Sequence, residues 1–444
     1  MASSRRNETK ETVDELASRE AACGALEAVL QKRLSVDAQY DRAVKILSES
    51  RDRAFVRMLV ATVLRRLHQL DAVLDAFLTK RPPDPVLNVL RLGAAQLLFL
   101  ETPAHAAVAT AVALAKRHNE RFGGLTNAVL RRVAEKGPEI VAGQDAARLT
   151  TPDWLWESWV GAYGEPVARV TAETHLTEPP LDLSAKDSAA ASDWAKRLGG
   201  RLLPTGTIRC QATGRVQDMN GFDEGAWWVQ DAAAALPARV LLHVLGDAVG
   251  KRVIDLCAAP GGKTAQLAAA GCEVTAVDAD DGRLHRLREN LARLRLNAEV
   301  VVGDATTWRP ENLAQAVLLD APCSATGTIR RHPDLPHLKR PADIPVLAST
   351  QKKLLAAAVE MVEPGGYILY SVCSLQPEER RQVIESVLGA DGRLEWVKIP
   401  KEAVGGEPQF VSPRGELRTM PPQWPEHGGL DGFYGALLRR RPEI

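Results

Sequence analysis

Two cysteines stand in similar surroundings at two distant places in this chain, and those surroundings suggest chemistry. Cys323 lies in LLDAPCSATGTIRRHPDLP and Cys373 in YILYSVCSLQPEE; each follows an apolar run and is followed at once by serine. A buried cysteine is usually a small, inert hydrophobe, and that plain reading suits Cys23, Cys210 and Cys272. It suits Cys323 and Cys373 less well, because each ends a strand-like run and opens a proline-bearing turn. Cys257 also ends such a run, in VIDLC, but leads straight into AAPGGKT, which makes it part of a ligand loop. No Cys-x-x-Cys pair and no close Cys/His spacing occurs, so free thiols and no zinc or other metal are expected.

The ligand loop has its own logic. VIDLCAAPGGKTAQLA reads as strand, glycine-bearing loop, helix. In an open parallel sheet, ligands bind beyond the carboxyl ends of the strands, near a helix N-terminus. Cys257, Ala258, Ala259, Pro260, Gly261, Gly262 and Lys263 form this loop, and they lack the G-x-G-x-x-G pattern of nicotinamide dinucleotide sites. Asp278 ends the next strand, EVTAVD, where it can accept ribose hydroxyls. Asp304 ends the third, AEVVVGD, where it can meet an adenine amino group. One strand-end aspartate alone would be ordinary turn chemistry. Three such features in register suit S-adenosylmethionine, with Arg283 on the following helix and Asp320 as further candidates.

A thiol beside a methyl donor suggests carbon methylation of a pyrimidine. C5 of cytosine is a poor nucleophile until a thiolate adds at C6. A base must then remove the C5 proton so that the thiol can leave. Asp320 is placed to hydrogen-bond the N3 or N4 edge and stabilise the activated ring. The target base must be unpaired or flipped out.

These groups need a scaffold. RVIDLC, EVTAVD, AEVVVGD, AVLLD and YILYSVC are Val-, Ile- and Leu-rich runs alternating with helical stretches, the pattern of a parallel doubly wound sheet over residues 230–444. Residues 1–140 show no strand signal and read as an all-α bundle. Apolar residues from Phe55 to Leu78 recur at helical steps, RPPDP stops that helix, and VLNVLRLGAAQLLFL is nearly all apolar. KGPEIVAGQD reads as a linker. Residues 150–229 read as a small α+β segment, with helix AAASDWAKRL and strands near GRLLPT and TIRCQA.

With DAPCSATGTIRRHPDL, YSVCSLQPEE, DLCAAPGGKT and the closing RTMPPQWPEHGGLDGFYGALLRR on the page, the chain resembles the Nol/Nop/Sun family of RNA 5-cytosine methyltransferases. Its first third, with RLGAAQLLFL, TPAHAAVATAVALAK and LTNAVLRR, is similar to NusB-like RNA-binding domains. The resemblance implies a Rossmann-like class I methyltransferase domain, S-adenosylmethionine as cofactor and RNA, 16S rRNA above all, as partner. It also implies Cys373 as nucleophile and Cys323 as an aid to product release. LDLSAKDS, Val372 and AAVATAV depart from the family's usual residues, but none touches the residues assigned to the chemistry.

Two other readings remain: the same reaction on tRNA or another rRNA site, and a non-catalytic NusB-like RNA-binding factor. The paired cysteines and the complete cofactor loop speak against the second. Lys plus Arg equal Asp plus Glu at 56 each, so any RNA contact must come from local patches. Arg330, Arg331, Lys339 and Arg340 follow the Cys323 loop and are placed to hold phosphates. Arg286, Arg288, Arg293 and Arg295 read as a solvated helix face. No apolar run of membrane length and no secretory signal is found, so a cytoplasmic monomer without membrane contact is expected.

Overall fold

The computed structural model describes residues 2–211 and 214–442, apart from the side chains of residues 2–15 and 43–45. The chain forms two compact units. One comprises Met1–Thr177 with Ile329–Lys339, the other Glu178–Thr328 with Arg340–Ile444.

The first unit is helical: α1 (Ala2–Leu30), α2 (Val36–Ile46), α3 (Ser50–Arg65), α4 (Leu67–Asp75), α5 (Asp84–Leu98), α6 (Ala104–His118), α7 (Phe122–Ala142), α8 (Ala146–Thr150), α9 (Asp153–Tyr163) and α10 (Glu165–His175). The single helix expected from Phe55 to Leu78 is two, because Arg66 leaves helical geometry at φ −112, ψ 14. The central α5 is buried from Val86 to Gln96. It tolerates Arg91 there because both carboxylate oxygens of Asp71 take its guanidinium at 2.7 Å and Asn88 takes another nitrogen.

KGPEIVAGQD is not an irregular linker. Helix α7 covers it as far as Ala142, with Pro138 inside. Its Gly137 is a packing residue: a Cβ there would lie 2.8 Å from Leu98 Cδ2 of α5. The helical unit therefore continues past residues 140 and 150, and closes with Trp159 of α9 edge-on to His175 of α10 at 5.5 Å.

Residues 329–339 also belong to this unit. Asp334 accepts from Val36 N at 3.0 Å. The Arg330 carbonyl accepts from Arg65 at 2.9 Å, and His337 Nε2 meets the Leu64 carbonyl at 2.9 Å.

The second unit opens with a small antiparallel sheet of β1 (Leu181–Ala185), β2 (Arg201–Leu202), β3 (Ile208–Cys210) and β4 (Trp227–Val229), in the order β2-β3-β1-β4, with α11 (Ala191–Arg197) beside it. LDLSAKDS holds β1; its buried Asp182 pairs with Arg209 and also accepts from Ala232 N at 3.0 Å. There follow α12 (Ala232–Leu245), β5 (Arg252–Leu256), α13 (Gly262–Ala269), β6 (Glu273–Asp278), α14 (Asp281–Leu294), β7 (Glu299–Val302) and β8 (Ala314–Asp320). After the one-turn α15 (Leu335–Leu338) of the helical unit come α16 (Asp343–Val359), β9 (Val362–Val372), α17 (Arg381–Ala390), β10 (Leu394–Val397), β11 (Leu417–Thr419) and β12 (Phe433–Arg440).

The large sheet has the order β10-β12-β9-β8-β5-β6-β7, with β11 beside β12. Strands β5 to β9 pair in parallel; β12 joins β9 antiparallel, so the sheet is mixed and not wholly parallel. Leu318 and Leu319 of β8 point to opposite faces and are both fully buried, which explains the unbroken apolar run. Strand order reverses about β5, the kind of switch point at which open α/β sheets take a ligand in the crevice beyond the carboxyl ends of their strands, here β5 and β8. Among the described residues, no helix is long and apolar enough to cross a membrane.

Candidate active site

The two cysteines meet at this edge. Cys323 follows β8 by three residues, Cys373 follows β9 directly, and the parallel pairing of those strands brings their Sγ atoms to 3.5 Å. Both are half-buried. The hydrogen bond to Cys373, then burial, then the charges of Cys373 and Glu379 push the Cys323 thiol well above its ordinary range. Cys323 thus keeps its proton and can share it with Cys373.

The loops carrying the cysteines are fastened to each other. Gly327 N donates to the Cys373 carbonyl at 3.0 Å, and Leu375 N to Thr326 Oγ1 at 2.9 Å. Gly432 N in turn donates to the Gly327 carbonyl at 2.8 Å. The contact is so close that a Cβ on Gly327 would lie 2.1 Å from the Gly432 carbonyl oxygen.

Asp320 ends β8 beside the thiols. Lys263 Nζ donates to its Oδ2 at 2.7 Å and Ser371 Oγ to its Oδ1 at 3.0 Å. Burial opposes the Lys263 charge. The facing Asp320 more than offsets that through charge and hydrogen bonding, and Lys263 stays above the ordinary amine range. Its ammonium also lies 5.3 Å from the centre of the Phe433 ring. Lys263 thus braces Asp320.

The loop after β5 is built as expected but wired differently. Asp278 is buried, and its two oxygens accept from Ala259 N and Asp280 N at 3.1 Å each. Arg283 donates to the Ala259 carbonyl at 2.6 Å. Both residues thus hold the loop in shape, while each Asp278 oxygen keeps one further acceptor position. Cys257 sits at φ 59 and Gly261 at φ 99, so the chain turns sharply on either side of Ala258, Ala259 and Pro260. Burial, then Asp278, pushes the Cys257 thiol up to about 12, which leaves it an inert part of the loop. Asp304 stands exposed beyond β7, kept below the ordinary carboxylate range by the Thr306 backbone and hydroxyl.

Sequence reasoning missed several partners. Asp255, in the middle of VIDLC, is buried behind the loop with Thr264 Oγ1 on one oxygen at 2.6 Å and no partner on the other. Burial pushes its carboxyl up to about 7. A charged residue inside an otherwise apolar strand was the available signal. Ser371, Gln351 and Glu379 also went unread, although Ser371 and Glu379 both lie within the quoted YILYSVCSLQPEE motif.

One expectation fails. Arg330 does not face solvent to hold phosphate; it is fully buried in the helical unit, where burial and then its charge hold His175 down at about 3. Arg331 and Lys339 belong to that unit as well, and Arg340 to the other. Of the arginines read as a solvated face, Arg288 is exposed and paired to Asp281 at 2.8 Å, whereas Arg293 braces the Phe222 and Trp227 carbonyls.

The pattern of the family described as 16S rRNA methyltransferase RsmB/F matches residues 242–439, and that of the NusB family matches residues 16–135. The chain is 37% identical to ribosomal RNA small subunit methyltransferase B of Pseudomonas putida, over 94% of this chain and 97% of that protein. The protein of the same name from Cronobacter sakazakii is 36% identical over 95% and 98%. Among solved structures, PH0851 covers 96% of this chain and 99% of its own at TM-score 0.75 and 22% identity, which shows a shared fold. A methyltransferase homologue from Pyrococcus horikoshii aligns over 67% of this chain and 97% of its own, at TM-score 0.54 and 26% identity. The large sheet is therefore the Rossmann-like fold of class I methyltransferases, preceded by a NusB-like helical domain.

Proposed function

Since the chain belongs to the RsmB/F family of rRNA small-subunit methyltransferases and uses S-adenosylmethionine, we propose that it methylates C5 of a cytosine in 16S rRNA through a covalent cysteine adduct. The observation that carries this reading is the 3.5 Å approach of Cys323 and Cys373 beside a braced Asp320.

The residues around the crevice fit S-adenosylmethionine. Asp304 is exposed at a strand end, Asp278 has acceptor capacity left, and the loop from Ala258 to Gly262 presents small side chains and backbone at the α13 N-terminus. When bound, the cofactor supplies an electrophilic methyl group. Cys373, as thiolate, forms a bond to C6 and leaves C5 electron-rich. Asp320, fixed by Lys263 and Ser371, receives the N4 amino group or a protonated N3 and stabilises that electron density. After C5 has taken the methyl, its proton must go to a base. The electron pair then expels Cys373 from C6. Cys323, which keeps its own proton, serves this release by positioning that base. The helical unit supplies RNA affinity and no chemistry.

The two cysteines should differ in kind. With rRNA as substrate, Cys373→Ala is expected to lose methylation and any covalent RNA attachment. Cys323→Ala is expected to accumulate a protein–RNA complex that survives a denaturing gel. The reverse pattern, trapping with Cys373→Ala alone, would falsify the assignment. Bisulfite sequencing of 16S rRNA from a deletion strain checks the base and the substrate, and an unchanged cytosine pattern would remove both.

A further inference from the structure

Glu379 is fully buried at the end of the short turn after Cys373, yet it touches the loops of both cysteines. Its Oε1 accepts from Ser324 N at 2.8 Å and from Gln351 Nε2 at 3.0 Å. Its Oε2 accepts from Ser324 Oγ and from Ser374 Oγ, each at 2.5 Å. Four donors fill the four acceptor positions of one carboxylate. Ser324 is the residue after Cys323 and Ser374 the residue after Cys373. Gln351 also donates to the Pro322 carbonyl at 2.9 Å, so the Cys323 loop is held on both sides of its thiol.

We propose that Glu379 is the positioning residue of the cysteine pair: its carboxyl group spans the two loops and sets the distance and alignment of Cys323 and Cys373, without touching RNA or cofactor. This rests on the cysteine mechanism above. The role is separable from simple folding. The loops are also joined through Gly327 and Cys373 and through Thr326 and Leu375, so they stay attached if Glu379 is changed. What is lost is the anchoring of the residue next to each thiol. Transfer chemistry is sensitive to this, because a displacement of about 1 Å can cost on the order of 100-fold in rate.

The span and the charge of Glu379 can be told apart. Glu379→Gln keeps the length, and the two N–H groups of its amide can reach the two serine oxygens. Methylation kcat is expected to stay within about threefold of the unchanged enzyme. Glu379→Asp keeps the charge but is one methylene too short to reach both loops; kcat is expected to fall on the order of 100-fold, with KM for RNA and for S-adenosylmethionine nearly unchanged. Asp active and Gln inactive would overturn the proposal, as would full kcat in both. If Glu379→Asp loses cofactor binding by calorimetry, the enzymes carrying Ser324→Ala or Ser374→Ala decide. Each is expected to lower kcat at unchanged cofactor affinity, and unaltered kcat in both overturns the role. A parallel gel with 5-fluorocytidine-containing 16S transcript separates the two levels. If the unchanged enzyme forms no adduct there, the cysteine mechanism fails. If it does, and the 379 series shows no span dependence, this inference alone fails.

Discussion

Asp255 shows how one residue links the cofactor loop to stability. Its carboxyl is raised by burial from an ordinary 3.8 to about 7, with Thr264 as its hydrogen-bond donor. The folded chain therefore holds this proton more tightly than the unfolded chain. The group's favourable contribution is complete below about pH 4 and is lost as pH rises through about 7. Asp255→Asn keeps an acceptor for Thr264 and removes the titration. Thermal melts should show the variant gaining on the parent between pH 5 and pH 8, by an amount on the order of 2–4 kcal/mol. Melting curves that shift in parallel with pH would show that Asp255 does not titrate there. At this scale the cysteines, Asp320 and the loop after β5 could be singled out from sequence as candidates, since those residues sit in contiguous motifs. The sequence did not disclose what Lys263, Ser371 and Glu379 do, because those roles are contacts across space: Glu379 lies 55 positions from the Ser324 it holds.

Strands β8 and β9 and their loops act as one element. Their parallel register delivers Asp320, Cys323, Ser371 and Cys373 to one edge, and the Gly327–Gly432 backbone contact locks the loops there. Gly327→Ala would drive a Cβ to 2.1 Å from the Gly432 carbonyl oxygen, so one loop must move. A stability loss of about 1–3 kcal/mol is expected, as for overpacked cores. Adduct formation should fall further than cofactor affinity, since the cofactor loop lies on β5. Equal losses of both, measured by denaturing gel and calorimetry, would argue against a local effect. The large-sheet strands were legible because runs buried on both faces are plainly apolar. Strand β1 was not, since buried Asp182 interrupts its apolar pattern and is explained only by distant Arg209. The Gly137–Pro138 pair misled for a related reason: it lies in a stretch that reads as a linker, but the glycine makes room for Leu98.

At the scale of the whole molecule, the chain returns to its helical unit at residues 329–339, immediately after the Cys323 loop. No local pattern announces this, because Arg330 and Asp334 look like surface charges until Arg65, Val36 and Leu64 are seen to receive the segment. Overall charge balance was equally uninformative, and exposed Arg131 and Arg132 on the NusB-like α7 are local features of the kind that can meet RNA. A chain beginning at Glu178 keeps every strand of the large sheet but loses the helices that hold 329–339. It should bind S-adenosylmethionine within about threefold of the full chain, by calorimetry. Its affinity for rRNA should fall by about tenfold or more, with a shallower dependence on salt, because the phosphate contacts proposed for the helical unit go with the removed helices. Amides of residues 329–339 should exchange faster, since their partners Val36, Leu64 and Arg65 are gone. Undiminished RNA affinity with an unchanged salt slope would assign RNA binding to the second unit alone.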